Sequence, residues 1–111
     1  NLKKTEIINY LKRNNLKTFD LAIFDRVLYM ISEKRIKFFF SKYSDYYKYV
    51  IIDDFHAEKP RWDKEKYIYS KNYVAILNQF NYKIIEIKDS ELPSSTAKKY
   101  AKRLIFKREM I

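Results

Sequence analysis

Residues 46–56 read YYKYVIIDDFH, and this stretch indicates the fold class. The apolar run at residues 50–52 is continuous rather than alternating, which predicts a central strand covered on both faces. The run ends at two acids, Asp53 and Asp54. Because open α/β sheets place their sites at the carboxyl ends of strands, we expect a functional site there.

The segments on either side predict how this strand is connected. Residues 35–41 are short and rich in Phe and Ile, and a polar turn at 42–45 joins them to the central strand, which predicts an antiparallel β-hairpin. Downstream, Asp63 supplies an N-cap for a long helix that runs through Phe80, and a strand follows at residues 82–88. A strand, a helix and a strand in this order predict a βαβ crossover with two parallel strands.

Helical patterns flank this region. Residues 5–14 predict one amphipathic helix, and the spacing of Phe24, Val27, Leu28 and Ile31 predicts a second. A cap at residues 94–96 predicts a basic C-terminal helix. We therefore expect a single α/β domain over residues 1–111, with a helical N-terminal part at 1–34 and, at 35–111, a core that has a small mixed sheet.

The net charge is +10, and most of the positive excess lies in residues 1–44 and 92–111, while residues 45–91 are close to neutral. Basic clusters at both ends favour a nucleic-acid partner, because Lys and Arg neutralise phosphates. An acidic protein or an anionic lipid surface would attract the same charges. The residues expected to bind nucleic acid are Lys3, Lys4, Lys12, Arg13, Lys98, Lys99, Lys102, Arg103, Lys107 and Arg108 through phosphates, and Trp62 through stacking.

Several classes of protein are excluded by composition. No stretch approaches the roughly 18 apolar residues of a spanning helix, and no signal-peptide pattern opens the sequence, so we expect neither a membrane partner nor secretion. The chain has no cysteine, which excludes disulfides and thiolate metal sites. It also has no glycine, which removes the P-loop and the Rossmann fingerprint.

Two groups of residues have the composition of a catalytic site. Asp53, Asp54 and His56 combine hard oxygen ligands with an imidazole, so they are candidates to hold a divalent ion. Glu86 and Lys88 match the acid, any residue, lysine pattern of metal-dependent nucleases. Solvated acids at a strand end and an ordinary exposed strand face explain the same patterns without chemistry.

Residues 53–92 read DDFHAEKPRWDKEKYIYSKNYVAILNQFNYKIIEIKDSEL, and they resemble the core shared by very-short-patch-repair (Vsr-like) endonucleases and RAP domains. The similarity lies in an acidic strand end with a nearby His, a helix, a "ykvi.i" strand and the acid-containing pair Glu91 and Leu92. The resemblance extends loosely over residues 35–105. It implies a restriction-endonuclease-like fold.

The departures from those families predict what the chain does. A family glycine and two further acids are missing, so the resemblance implies an eroded active site. The leading prediction is a module that binds RNA in preference to DNA, without a cofactor, inside an organellar ribonucleoprotein such as a mitochondrial ribosome, or in the cytoplasm. The alternatives are an active endonuclease of repair, phage or toxin type that uses Mg²⁺ or Mn²⁺ at Asp53 and Asp54, and an architectural protein.

Overall fold

The computed structural model of the protein describes residues 9, 12–14, 18–63, 68–90 and 101–109. Residues 9, 12 and 13 are helical and residue 14 is a turn, and the other residues of the first predicted helix lie outside the described residues. The elements that follow, in chain order, are β1 (Phe19–Asp25), a 3-10 turn (Leu28–Met30), α1 (Glu33–Tyr43), a second 3-10 turn (Ser44–Tyr46), β2 (Tyr47–Phe55), β3 (Arg61–Asp63), β4 (Ile68–Ser70), α2 (Tyr73–Asn78), β5 (Tyr82–Asp89) and β6 (Ala101–Arg108).

The main sheet has four strands in the order β1, β2, β6, β5. β1 is parallel to β2, whereas β6 is antiparallel to both β2 and β5. β1, β2 and β5 therefore run in the same direction, and their carboxyl ends lie at one edge of the sheet. β3 and β4 form a separate two-stranded antiparallel sheet.

The second predicted helix is wrong, because its first part is strand β1. Ala22 and Phe24 pack against the core, while Leu21 and Ile23, which alternate with them, are exposed. This alternation is that of a strand, and pairing with β2 supplies the backbone hydrogen bonds that a helix would have made internally. The remaining apolar residues of the predicted stripe lie in or beside the 3-10 turn.

The predicted β-hairpin is also wrong, because residues 35–41 lie in helix α1. The side chain of Ser32 caps this helix by accepting the N–H of Arg35 at 3.3 Å. Ile36 and Phe40, four residues apart, are buried, whereas Phe38 is 60% exposed. The burial of one helical face outweighs the strand preference of three consecutive Phe residues.

The predicted long helix from Asp63 to Phe80 is shortened to α2, since Asp63 ends β3. Asn72 caps α2 through the N–H of Ala75 at 3.0 Å. Asn81 has a φ of 66°, the left-handed conformation that ordinarily favours glycine. The strand predicted at residues 82–88 is confirmed as β5.

Strand β6 shows that two predictions were wrong, the one of a βαβ unit with neighbouring parallel strands and the one of a C-terminal helix. It occupies residues 101–108 and lies between β2 and β5, which run in the same direction without being neighbours. Residues 94–100 of the predicted helix lie outside the described residues. The core fills one side of the sheet and consists of Leu28, Ile36, Phe40, Val50, Ile52, Tyr73, Ile76, Leu77, Tyr82, Leu104 and Phe106.

None of the helices within the described residues is both long enough and apolar enough to cross a membrane. The division of the chain into one domain with two parts stays a prediction.

Candidate functional site

The carboxyl ends of β1, β2 and β5 bring polar residues to one end of the sheet. We call this end, which runs across the three strand termini, the carboxyl edge. β1 ends at Asp25, β2 passes through Asp53 and Asp54, and β5 is followed by Ser90. The register pairs Asp25 with Asp53, so these strand ends lie side by side. This is the edge at which open α/β sheets bind their ligands.

Asp54 is fully buried and holds the turn that follows β1. Its Oδ2 accepts the backbone N–H groups of Leu28 and Tyr29, both at 3.1 Å, and its Oδ1 accepts that of Phe55 at 2.8 Å. Burial raises the pKa of Asp54, although the three backbone hydrogen bonds and the charge of Arg26 act in the opposite direction. The carboxylate is therefore committed to the backbone of its own chain.

Lys71 holds the same turn from its carbonyl side. It is 1% exposed, and its Nζ donates to the carbonyl oxygens of Leu28 at 3.0 Å and Tyr29 at 3.1 Å. Burial lowers the pKa of Lys71, and the charges of Asp54 and Glu33 partly oppose that shift. Asp54 and Lys71 together bond both the N–H and the C=O groups of the turn, which fixes the backbone after β1.

Asp53 links all three parallel strand ends. Its Oδ1 accepts the Nε of Arg26 at 3.3 Å and the hydroxyl of Ser90 at 2.8 Å, and its Oδ2 lies 3.5 Å from the Nε of Arg103 on β6. Arg26 also donates to the Ser90 hydroxyl at 3.1 Å and lies over the ring of Phe55, 4.9 Å from the ring centroid. Two cations and a hydroxyl thus surround a carboxylate that is 8% exposed.

His56 packs beside this network. Its Nδ1 accepts the backbone N–H of Tyr73 at 3.3 Å, and the two rings are stacked with their centroids 6.1 Å apart. Burial lowers the pKa of His56. Because Nδ1 accepts a hydrogen bond, the proton of the neutral ring lies on Nε2.

The structure does not assemble the metal site predicted from the sequence. Within the described part of the chain, no group of three His, Cys, Asp or Glu residues could hold a metal ion. Asp53 and Asp54 are occupied by the donors named above. Glu86 lies on β5, where it is paired with Lys88 at 3.6 Å, and both side chains are about half exposed.

The basic residues predicted to contact phosphate have mixed environments. On β6, Lys102 pairs with Asp89, Arg103 with Asp53 and Arg108 with Asp45. The predicted residues that are exposed are Lys12, Arg13, Trp62 and Lys107. Those outside the described residues are Lys3, Lys4, Lys98 and Lys99. A nucleic-acid partner stays a prediction.

Asp25 is the residue at the carboxyl edge that the sequence reasoning missed. It ends β1 and is exposed, and no hydrogen bond or ion pair of its side chain occurs among residues 18–63, 68–90 and 101–109. The signal for it was present, since an acid follows the apolar run of β1 as Asp53 follows that of β2. This signal was missed because the residues of β1 were interpreted as part of a helix.

Two open cavities lie away from this edge. One, of about 590 Å³, runs along α1 between Phe38 and Phe80 and is lined by Lys34, Arg35 and Lys37. The other, of about 730 Å³, lies where β5 begins and β6 ends. Neither includes a residue of the network around Asp53 and Asp54.

The architecture is that of solved methyltransferases. Similar structures include a SAM-dependent methyltransferase from Methanosarcina mazei (TM-score 0.61, 15% identity, covering 86% of this chain and 61% of that one) and a SAM-dependent methyltransferase from Leishmania major (0.60, 15%, 82% and 39%). A third is an O-methyltransferase from a trans-AT PKS multienzyme of Brevibacillus brevis in complex with S-adenosyl-L-homocysteine (0.59, 11%, 96% and 56%). The chain thus spans between 39% and 61% of the length of these proteins. No protein-family model and no curated protein matches it in sequence.

These similarities correct the predictions drawn from residues 53–92. The chain has a mixed α/β sheet of the Rossmann-like methyltransferase type, so the restriction-endonuclease-like fold and the Vsr-like and RAP resemblance are wrong. The predictions of an RNA-binding module without catalysis and of a metal-dependent endonuclease lose their basis with that fold. The prediction of no cofactor, or of Mg²⁺ or Mn²⁺, is likewise contradicted by neighbours solved with S-adenosylmethionine (SAM) or its demethylated product.

The described residues do not form a binding site for SAM. A bound nucleoside is ordinarily approached by the backbone of a glycine-containing loop, and this chain has no glycine. At the carboxyl edge, the carboxylates of Asp53 and Asp54 are bonded to groups of the chain itself. The absence of the glycine-containing Rossmann fingerprint did not exclude the Rossmann-like fold. The chain covers only part of the length of each methyltransferase, so it shares the fold without that loop.

Proposed function

We propose that this chain is part of a SAM-dependent methyltransferase and that its carboxyl edge faces the methyl acceptor. The observation that carries the proposal is the similarity of the sheet to methyltransferases with TM-scores of 0.59 to 0.61 over 82% to 96% of the chain. In such α/β sheets the ligands bind outside the carboxyl ends of the parallel strands.

Asp25 is the residue that we expect to contact a ligand. Its neighbours Asp53 and Asp54 serve the fold, because their oxygens accept hydrogen bonds from Ser90 and from the turn at Leu28. Asp25 ends β1, beside Asp53 of β2, and its side chain is exposed. The fixed turn after β1 exposes Met30 beside this edge, and Met30 is 70% exposed.

Titration calorimetry of the protein at its natural length with SAM tests the proposed function. We expect saturable binding at a single site, and the 111 residues alone should bind at least about 100-fold more weakly, since they lack a cradle for the cofactor. If the protein at its natural length does not bind SAM, the proposed function is wrong.

The role of Asp25 is tested by the rate of methyl transfer. This rate is measured as the S-adenosylhomocysteine formed from SAM in the presence of fractions that contain candidate methyl acceptors. Asp25→Asn should lower this rate by about tenfold or more. Asp20→Asn is the matched control, since Asp20 lies near the opposite end of the same strand with a side chain 90% exposed. Equal losses in the two variants would show that the carboxyl edge has no special role.

A further inference from the structure

A groove on the outer side of α1 is lined by aromatic rings and cations. It is the cavity of about 590 Å³ between Phe38 and Phe80, and we call it the α1 groove. Lys34, Arg35 and Lys37 also line it. Surfaces that bind ligands combine apolar walls with a few polar groups that fix the orientation of the ligand, and the α1 groove has this composition.

The two aromatic walls of the α1 groove are held in place. The ring of Phe80 stacks on that of Phe40 with the centroids 6.1 Å apart, and Phe40 is fully buried. Phe38 is 60% exposed, and the Nζ of Lys42 lies 4.3 Å from the centroid of its ring. A surface that has its shape before a ligand arrives loses less conformational entropy on binding. The groove is therefore preformed, and it leaves a large apolar side chain in contact with water.

The cations around the α1 groove are largely without anions of the same chain. The Nζ of Lys37 lies 3.9 Å from the Oε2 of Glu33, so this charge is paired. Among residues 18–63, 68–90 and 101–109, no carboxylate forms an ion pair with Lys34, Arg35 or Lys42. All three side chains belong to exposed residues. Charge complementarity therefore favours an acidic occupant.

We propose that the α1 groove binds an acidic segment of a partner protein, with one apolar side chain of that segment inserted between Phe38 and Phe80. The carboxylates of the segment pair with the exposed cations, which are Lys34 and Arg35 at the rim and Lys42 over the ring of Phe38. Burial of the apolar side chain favours association, and the ion pairs fix its orientation. The inference goes beyond the proposed function and does not rest on it, because the groove contains no residue of the carboxyl edge.

Two other anionic partners fit the α1 groove less well. A protein that lies on a lipid surface inserts several apolar side chains into it, whereas of the two rings in the groove only Phe38 is exposed. Single-stranded nucleic acid stacks its bases on aromatic faces, and the ammonium of Lys42 already covers one face of the Phe38 ring. A concave groove accepts an anchoring side chain of a peptide, which neither a bilayer nor a stacked base provides.

Fluorescence anisotropy of the protein at its natural length, titrated into labelled synthetic peptides, tests the proposal. Each peptide carries one apolar residue (leucine, isoleucine, methionine or phenylalanine) between two runs of glutamate. Control peptides carry alanine at the apolar position, or lysine in place of glutamate. We expect saturable binding of at least one acidic peptide at low salt, binding about tenfold or more weaker with alanine, and none with lysine. The proposal is wrong if no acidic peptide binds, or if the alanine peptide binds equally well.

Variants of the protein locate the binding site. Phe38→Ala should weaken peptide binding about tenfold or more, whereas Ile87→Ala, which truncates a residue 49% exposed on β5, is the matched control and should leave it unchanged. Lys34→Gln combined with Arg35→Gln should weaken binding by about the same factor. Lys59→Gln, at an exposed position outside the groove, is the control for charge. All these positions are exposed, so the melting temperatures should stay close to that of the wild type, and equal effects of groove and control variants would contradict the proposal.

Vesicles of phosphatidylcholine and phosphatidylserine, and a strand of oligouridine, are the probes for the other two partners. Tighter binding of either probe than of every peptide, together with its loss in Phe38→Ala, would overturn the assignment to a protein segment. None of these measurements uses SAM or a methyl acceptor. A failure of the peptides to bind therefore leaves the proposed function unaffected, and a failure of the protein to bind SAM leaves the α1 groove unaffected.

Discussion

The Oδ2 of Asp54 accepts the backbone N–H of Leu28 at 3.1 Å, and this buried hydrogen bond joins the end of β2 to the turn that follows β1. Lys71 completes the connection by donating to the carbonyl oxygen of the same residue, Leu28. A turn held through both its N–H and its C=O groups has little freedom to move. The geometry of the carboxyl edge therefore depends on two buried ionisable side chains.

Asp54→Asn should destabilise the protein by about 1 to 3 kcal/mol, because an amide offers one acceptor oxygen where three backbone N–H groups are now satisfied. Urea denaturation at neutral pH measures the change. Asp25→Asn, at the exposed strand end beside it, should stay within about 0.5 kcal/mol of the wild type. Equal effects of the two substitutions would show that the turn is not held by Asp54.

His56 is the one histidine of the chain, so its titration can be followed directly by proton NMR. Its pKa should lie below 6.5, because burial penalises the charged ring. When the pKa is lower in the folded state than in the unfolded state, the folded state binds fewer protons than the unfolded state at any pH between the two pKa values. The contribution of the neutral His56 ring to the unfolding free energy is therefore complete above about pH 6.5. It is lost as the pH falls from that value to the pKa of the folded state.

His56→Gln should remove this component of the pH dependence. Asp54 acts with the opposite sign, since its pKa is raised, and its stabilising contribution is lost as the pH rises through the folded value. The difference in unfolding free energy between wild type and His56→Gln therefore isolates the histidine. A difference that does not change with pH would contradict the lowered pKa.

Asp53→Asn should lower the unfolding free energy by about 1 to 3 kcal/mol, because Arg26 and Arg103 would lose the charge that they share. Asp20→Asn is the control, since the pair between Asp20 and Lys48 is exposed and should contribute less than about 1 kcal/mol. Denaturation in low and high salt distinguishes them further, because salt screens the exposed pair more strongly than the buried one. Similar losses in both variants would argue against the network.

Asn81→Val should destabilise the protein by about 1 to 2 kcal/mol, whereas Asn81→Gly should be neutral or slightly stabilising. The reason is the φ of 66° at this position, which a β-branched residue adopts only at a cost. Thermal denaturation of the two variants side by side is the measurement. A glycine variant as unstable as the valine variant would show that the side chain of Asn81, rather than its backbone conformation, is what matters.

The sequence predicted some elements and misread others for identifiable reasons. β2 and β5 were recognised because their apolar runs are short, rich in Ile and bounded by polar turns. β1 was misread because Phe24, Val27, Leu28 and Ile31 fall at helical spacing across the end of the strand and the turn after it. β6 was misread in the same way, since Ala101, Leu104 and Ile105 fall at helical spacing, whereas the buried residues Leu104 and Phe106 alternate as in a strand.

The candidate site was predicted in part. Asp53, Asp54 and His56 do lie at the carboxyl end of an interior strand, as the acids after the apolar run indicated. The hydrogen-bond partners of Asp53 are Arg26 and Ser90, 27 and 37 residues away, and that of His56 is Tyr73, 17 residues away. No local sequence pattern indicates these partners. The chemistry expected of the acids was wrong because it depended on which groups would face them.

The sequence by itself determined that the chain has a folded core and a central strand ending in acids, since these follow from local apolar runs and backbone preferences. Only the tertiary structure decided that residues 19–25 pair as a strand, that β6 lies between β2 and β5, and that the acids bond to the chain's own backbone and cations. Strand pairing and the partners of buried charges join residues far apart in sequence. Local pattern cannot specify them, because their energies depend on which groups are brought together when water is excluded.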